Sequence, residues 1–154
     1  MATCENRRSV NEHLIKLLTK NIKDIIALDS SSNKIAERLH ELTNLLEVQL
    51  IIKADITIDK VNYTIDRHNI DADDKTTCVK NQAINNELIK YIEHEYLEIC
   101  DIKQNLWMRG RDKLRNKLVE LYEKRDERFE FKVGIIYDDI IECIKECTKL
   151  IEKS

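Results

Sequence analysis

The chain has no proline and only two glycines among 154 residues. Ordinary soluble proteins carry roughly 5% proline and 7% glycine. Without proline there are no ring-induced helix breaks and no X-Pro turns. The scarcity of both residues excludes collagen-like, disulfide-knot and loop-rich all-β designs. Gly110 and Gly134 stand 24 residues apart, which excludes a glycine-rich phosphate loop. No run approaches the 18 or so apolar residues of a membrane-spanning helix. Met1-Ala2-Thr3-Cys4-Glu5-Asn6-Arg7-Arg8 contains no apolar signal-peptide core, and residues 1–8 read as a flexible N-terminus. The five cysteines, Cys4, Cys78, Cys100, Cys143 and Cys147, are odd in number and scattered. That usage fits free thiols in a reducing compartment, the cytoplasm or nucleus.

Charge is abundant. Charged residues make up 36% of the chain, the net charge is -3 and the pI is near 5.9. Such a surface is well solvated and has no global attraction for nucleic acid. The length suits one domain with one core.

Apolar spacing is helical almost throughout. A first helix is expected over Val10–Leu28, with Ser9 and Glu12 as a capping box. Asp29-Ser30-Ser31-Ser32-Asn33 is a loop that supplies caps to a second helix from Lys34, seamed by Ile35, Leu39, Leu42 and Leu46. Residues 48–65 fit either a hairpin turning at Asp59-Lys60 or a helix buried on two sides. The absence of Gly or Asn-Gly at that turn favours helix. A second loop over Asn69–Thr77 precedes a third helix to Trp107, striped by Ile84, Leu88, Tyr91, Ile92, Ile99, Ile102 and Leu106. Arg109-Gly110-Arg111 breaks the pattern. A fourth helix is expected from Asp112 to Arg128, with an extended link at Phe129–Val133 and a joint at Gly134. A fifth then places Val133, Ile136, Ile140, Cys143, Cys147 and Leu150 inward. The expected fold is all-α, a single up-down bundle of four or five amphipathic helices.

Few residues point to chemistry. Cys143 and Cys147 share a helix face with metal-ligand spacing, but no CxxC or histidine cluster completes a site. They are expected as packed thiols without metal. His13, His40, His68 and His94 are dispersed, with no triad pattern. Glu95 falls inside the apolar stripe of the third helix, so it sits at a partly exposed rim, pairs with an internal Arg or Lys, or faces a partner. Arg109, Arg111, Arg115 and Lys117, with Lys113, form a basic run beside Trp107. Glu120, Glu123, Asp126 and Glu127 follow at once, as on a solvated helix face with i,i+4 pairs.

Two stretches resemble the BAG-domain co-chaperones. Lys34-Ile35-Ala36-Glu37-Arg38-Leu39-His40-Glu41-Leu42 is similar to part of that domain's first helix. Ile92-Glu93, Asp101 and Arg115-Asn116-Lys117-Leu118-Val119 are similar to its second and third helices. The likeness covers half of the chain in fragments. Asn116 stands where the family usually has lysine, and Glu123 where it has glutamine. The resemblance implies a three-helix bundle that grips a heat-shock ATPase and promotes nucleotide release. Glu93, Asp101 and Arg115 would be the gripping charges.

These observations lead to a non-catalytic protein-protein interaction module, an adaptor or a subunit of a complex. A small viral host-interaction protein would carry the same features. Partner-binding residues are expected at Glu93, Glu95, Asp101, Arg109, Arg111, Arg115 and Lys117. No cofactor, metal, catalytic residue or membrane partner is expected. The alternatives are a BAG-type co-chaperone and a nucleic-acid-associated factor. The fifth helix is also a candidate face for homo-oligomer formation.

Overall fold

Four helices make up the fold: α1 (Cys4–Ala27), α2 (Asn33–His68), α3 (Cys78–Asn105) and α4 (Asp112–Lys153). The computed structural model describes residues 4–28, 32–68, 70, 78–106, 108 and 110–153, without the side chains of 4, 5, 78–80 and 135. Among the described residues there is no strand, and 48–65 lies within α2. The β-branched residues there suit a helix because the threonines satisfy themselves on it. Thr57 and Thr64 donate to the carbonyls of Lys53 (2.9 Å) and Lys60 (2.8 Å), each four residues back.

Side-chain pairs fix the topology. Asn11 donates to the Gln49 carbonyl (2.8 Å) and Arg7 meets Asp59 (3.6 Å), so α1 and α2 are antiparallel. Lys53 meets Glu98 (2.9 Å) while Lys60 lies over the Tyr91 ring (4.8 Å), so α2 and α3 are antiparallel. Glu93 meets Arg125 (2.9 Å) and Asn85 donates to the Arg128 carbonyl (2.9 Å), reversing direction again into α4. The result is an up-down-up-down bundle in which α2 touches every other helix. Its core joins Ile15 and Ile22 of α1, Leu46, Leu50, Ala54 and Val61 of α2, Ile92 and Ile99 of α3, and Leu114 and Leu121 of α4. Each large side chain buried here contributes about 1.5–3 kcal/mol.

Helix ends follow local rules. The Ile70 N–H donates to the Ile65 carbonyl (3.1 Å) and the Met108 N–H to the Lys103 carbonyl (2.9 Å). Both are bonds of the Schellman kind, and in both the apolar residue folds back into the core, Ile70 and Met108 being fully buried. Gly110, at φ 76, takes the left-handed turn into α4. The Arg111 carbonyl accepts the first helical bond of α4, from Arg115 (3.0 Å). Asp112 is therefore the first helical residue, and its charge suits that positive helix end.

Two expectations are corrected. α1 begins at Cys4, not Val10, so residues 4–8 are helical and Ser9 is interior. Glu12 pairs with Arg8 (3.0 Å), one turn back. Arg7 and Arg8 also reach Asp59 and Glu95 (3.5 Å), so ion pairs draw the first turn onto the bundle. The expected fourth and fifth helices are one, the 42-residue α4. A mid-helix glycine costs only about 1 kcal/mol relative to alanine, too little to break a helix anchored by Leu114, Leu118 and Leu121.

Candidate functional site

The charged residues singled out from the sequence are not gathered into one outward face. Glu95 is 2% exposed. Its carboxylate meets the Lys53 ammonium at 2.7 Å, and Arg8 and His94 each at 3.5 Å. It is an internal counter-ion rather than a partner-facing charge, because a buried carboxylate persists only when paired. Lys53 also holds Glu98 at 2.9 Å. Burial lowers the lysine's pKa, but the hydrogen bonds it donates to both carboxylates outweigh it and leave the group above its usual value. Burial likewise pushes Glu98 up, and Lys53 overrides it, holding the carboxyl below the usual range.

His94, Glu95 and Glu98 bring ligand atoms within 4.8 Å of one another. The Lys53 ammonium lies against both carboxylates, so the lysine itself supplies the cation of this cluster.

Arg111 and Lys117 fasten α4 to α2. Arg111 bonds Asn44 and stands 3.8 Å from Glu47. Lys117 meets Asp55 at 2.7 Å and Glu120 at 3.0 Å, and these hydrogen bonds raise its pKa. Glu93 fastens α3 to α4 through Arg125, whose pKa it raises. Arg115 is exposed and pairs with Asp112 within its own turn (3.1 Å), and Asp101 is exposed on α3. Arg109 and Trp107 lie outside the described residues.

A different surface stands out along the outer side of α4. Val119, Tyr122, Phe129, Val133, Ile136, Ile140, Cys143, Cys147 and Leu150 follow one another at intervals of three and four, broken only by the half-buried Asp126. The large apolar members are 40–69% exposed. Cys143 and Cys147 are exposed free thiols, not packed ones. Each lies beside the other, and that neighbour raises the Cys143 pKa. The physical reason for this correction is reach. Arg125 and Arg128 lie level with Glu93 and Asn85 of α3, and Lys117 lies level with Asp55 of α2. Following these pairings to His68 and Cys78 brings both neighbours to an end near Val133. The roughly 30 Å of α4 beyond that point project from the bundle.

Where the stripe still lies on the bundle, a groove of about 260 Å³ runs beside it between α3 and α4. Ile92, Tyr96, Leu97, Tyr122 and the Glu93–Arg125 pair line it, with the Tyr96 and Tyr122 rings 5.7 Å apart. Val119, Tyr122 and Phe129 were the residues that sequence reading missed. Their membership in the stripe becomes visible only if the helix continues through Phe129–Val133. No protein-family model, curated protein or solved structure matches this chain.

Proposed function

We propose that this chain is a non-catalytic protein-protein interaction module, an adaptor or a subunit of a complex, that docks through the outer face of α4. The observation that carries this reading is the unbroken run of exposed apolar side chains from Phe129 to Leu150. Monomeric proteins rarely expose a contiguous apolar face of such length, and faces of this kind are docking sites. Helix-in-groove recognition works through anchors at this spacing. The charges expected to bind a partner contribute indirectly: Arg111, Lys117 and Glu93 hold α4 on the bundle and so present its outer face.

The test is affinity capture with the full chain, read by mass spectrometry. Ile140→Glu should abolish capture while the helical circular dichroism stays intact, because Ile140 is exposed in the monomer. Undiminished capture by Ile140→Glu, with loss in Asp101→Lys and Arg115→Glu, would move the site to the α3–α4 turn. Those two residues are exposed and are two of the three charges, with Glu93, that a BAG-type co-chaperone would use. Faster nucleotide release from a heat-shock ATPase, lost in the same two variants, would establish that second reading.

A further inference from the structure

The charges flanking the α4 stripe identify its occupant. We propose that a second copy of this chain packs antiparallel along α4, so that each projecting end lies on the bundle-borne half of the other's stripe. This deepens the docking reading above and rests on it.

The stripe defines a heptad seam. On its α3 side the flanking residues are Arg125, Lys132, Asp139 and Glu146, and Lys153 follows in the same row. On the opposite side they are Glu123, Glu130, Tyr137, Ile144 and Ile151. In an antiparallel pair each row meets its own counterpart. Laying the whole stripe on itself places Val119 against the second copy's Leu150, Phe129 against its Ile140, and Val133 against its Ile136. Lys132 then meets the second copy's Asp139, and Arg125 meets its Glu146. Two-fold symmetry repeats both pairs. On the other side Glu130 meets Tyr137, and Glu123 meets Ile144.

Every neighbouring alignment is worse. Sliding one heptad in either direction sets Lys132 on Lys132 or Asp139 on Asp139. Pairing only the projecting segments sets Lys132 on Lys153 and Asp139 on Glu146, all like charges. A parallel pair gives Lys132, Asp139 and Glu146 no charged partner at all. Like charges across a seam select against a register, and opposite ones select for it. The one alignment free of like-charge pairs is thus also the one that covers the full stripe, roughly 48 Å long. In it Asp126 meets Cys143, and a single polar residue in an apolar seam is a known device for holding one register. Arg125 is already held by Glu93, so the Lys132–Asp139 pair carries the test.

The experiment is sedimentation equilibrium of the full chain over a wide concentration range at low salt. The wild type should fit a monomer–dimer equilibrium. Lys132→Glu and Asp139→Lys should each raise the dimer Kd about tenfold, since each replaces two attractions with two repulsions. The double variant carrying both should return to the wild-type Kd. Ile140→Glu should leave only monomer, with its helical circular dichroism intact. A wild type that is monomeric at every concentration overturns the proposal. So does a double variant that fails to recover, or a Lys132→Glu variant that dimerises more tightly, which would indicate pairing with Lys153. If the wild type stays monomeric while Ile140→Glu still removes a captured protein, the second copy is the wrong occupant and the docking helix stands. If Ile140→Glu changes neither measurement, both readings fail.

Discussion

Lys53 and Glu95 are each almost sealed from water, and either one alone would cost several kcal/mol to bury. Together they connect α2 to α3, and Arg8 adds α1 to the same carboxylate. Lys53→Met should therefore destabilise the fold by about 3–5 kcal/mol, mostly through the stranded Glu95. Lys53→Met with Glu95→Leu should recover most of that loss. Urea unfolding of both variants checks it, and a double variant no more stable than the single one would refute the coupling. The same cluster sets a pH dependence. Glu98 has a depressed pKa when folded, so its stabilisation is complete above the ordinary carboxylate value and fades as pH falls through the depressed one. Lys53 has a raised pKa, so its stabilisation is complete below the ordinary lysine value and fades as pH rises through the raised one. Stability should hold between those limits, and Lys53→Met should flatten the acid side of the unfolding curve.

At the scale of the element, Gly134 is the weak point of α4. A Cβ built there meets nothing within 4 Å, and its backbone is not in the left-handed region. Gly134→Ala should stabilise α4 by up to about 1 kcal/mol, read as a higher melting temperature. Gly110→Ala should do the opposite, because an L side chain at φ 76 costs about 1–2 kcal/mol. An equal response from the two glycines would show that the turn into α4 is not what the left-handed geometry implies. Helix existence was legible in the sequence because the spacing of Ile35, Leu39, Leu42 and Leu46, or of Leu114, Leu118 and Leu121, records a helix face directly, whereas 48–65 left helix and hairpin both open. What covers a face is not recorded there. Ile140, Cys143 and Cys147 show the same periodicity as Leu114 and Leu121, yet all three stay exposed and none joins the core. An internal cation for Glu95 was legible only as one reading beside an exposed rim position and a partner-facing charge. Its identity was not, because Lys53 sits on another helix and only the packed bundle brings the two together. The break expected at Phe129–Val133 failed for a related reason. Phe131 joins the core under Arg128 (5.4 Å), while Phe129 belongs to the outer stripe, so their two-residue spacing reports two faces of one helix.

The whole molecule is a bundle closed by apolar burial at one end of α4 and open along the other. An open apolar face couples stability to concentration if a second copy covers it: the melting temperature should then rise with protein concentration, by mass action, and stop doing so in Ile140→Glu. The projecting end of α4 has a further consequence, in the time domain. Helices standing free in water are marginal and fray from their ends. Within the bundle, backbone amides are protected by the core, but from Val133 onward the described side chains are mostly exposed, so little burial opposes local unwinding. Deuterium uptake in dilute protein should therefore rise along α4 toward Lys153, while α2 around Leu46–Val61 stays protected. Occupation of the outer face would erase that gradient, so the exchange rate at the tip of α4 gives a direct reading of whether its partner is in place.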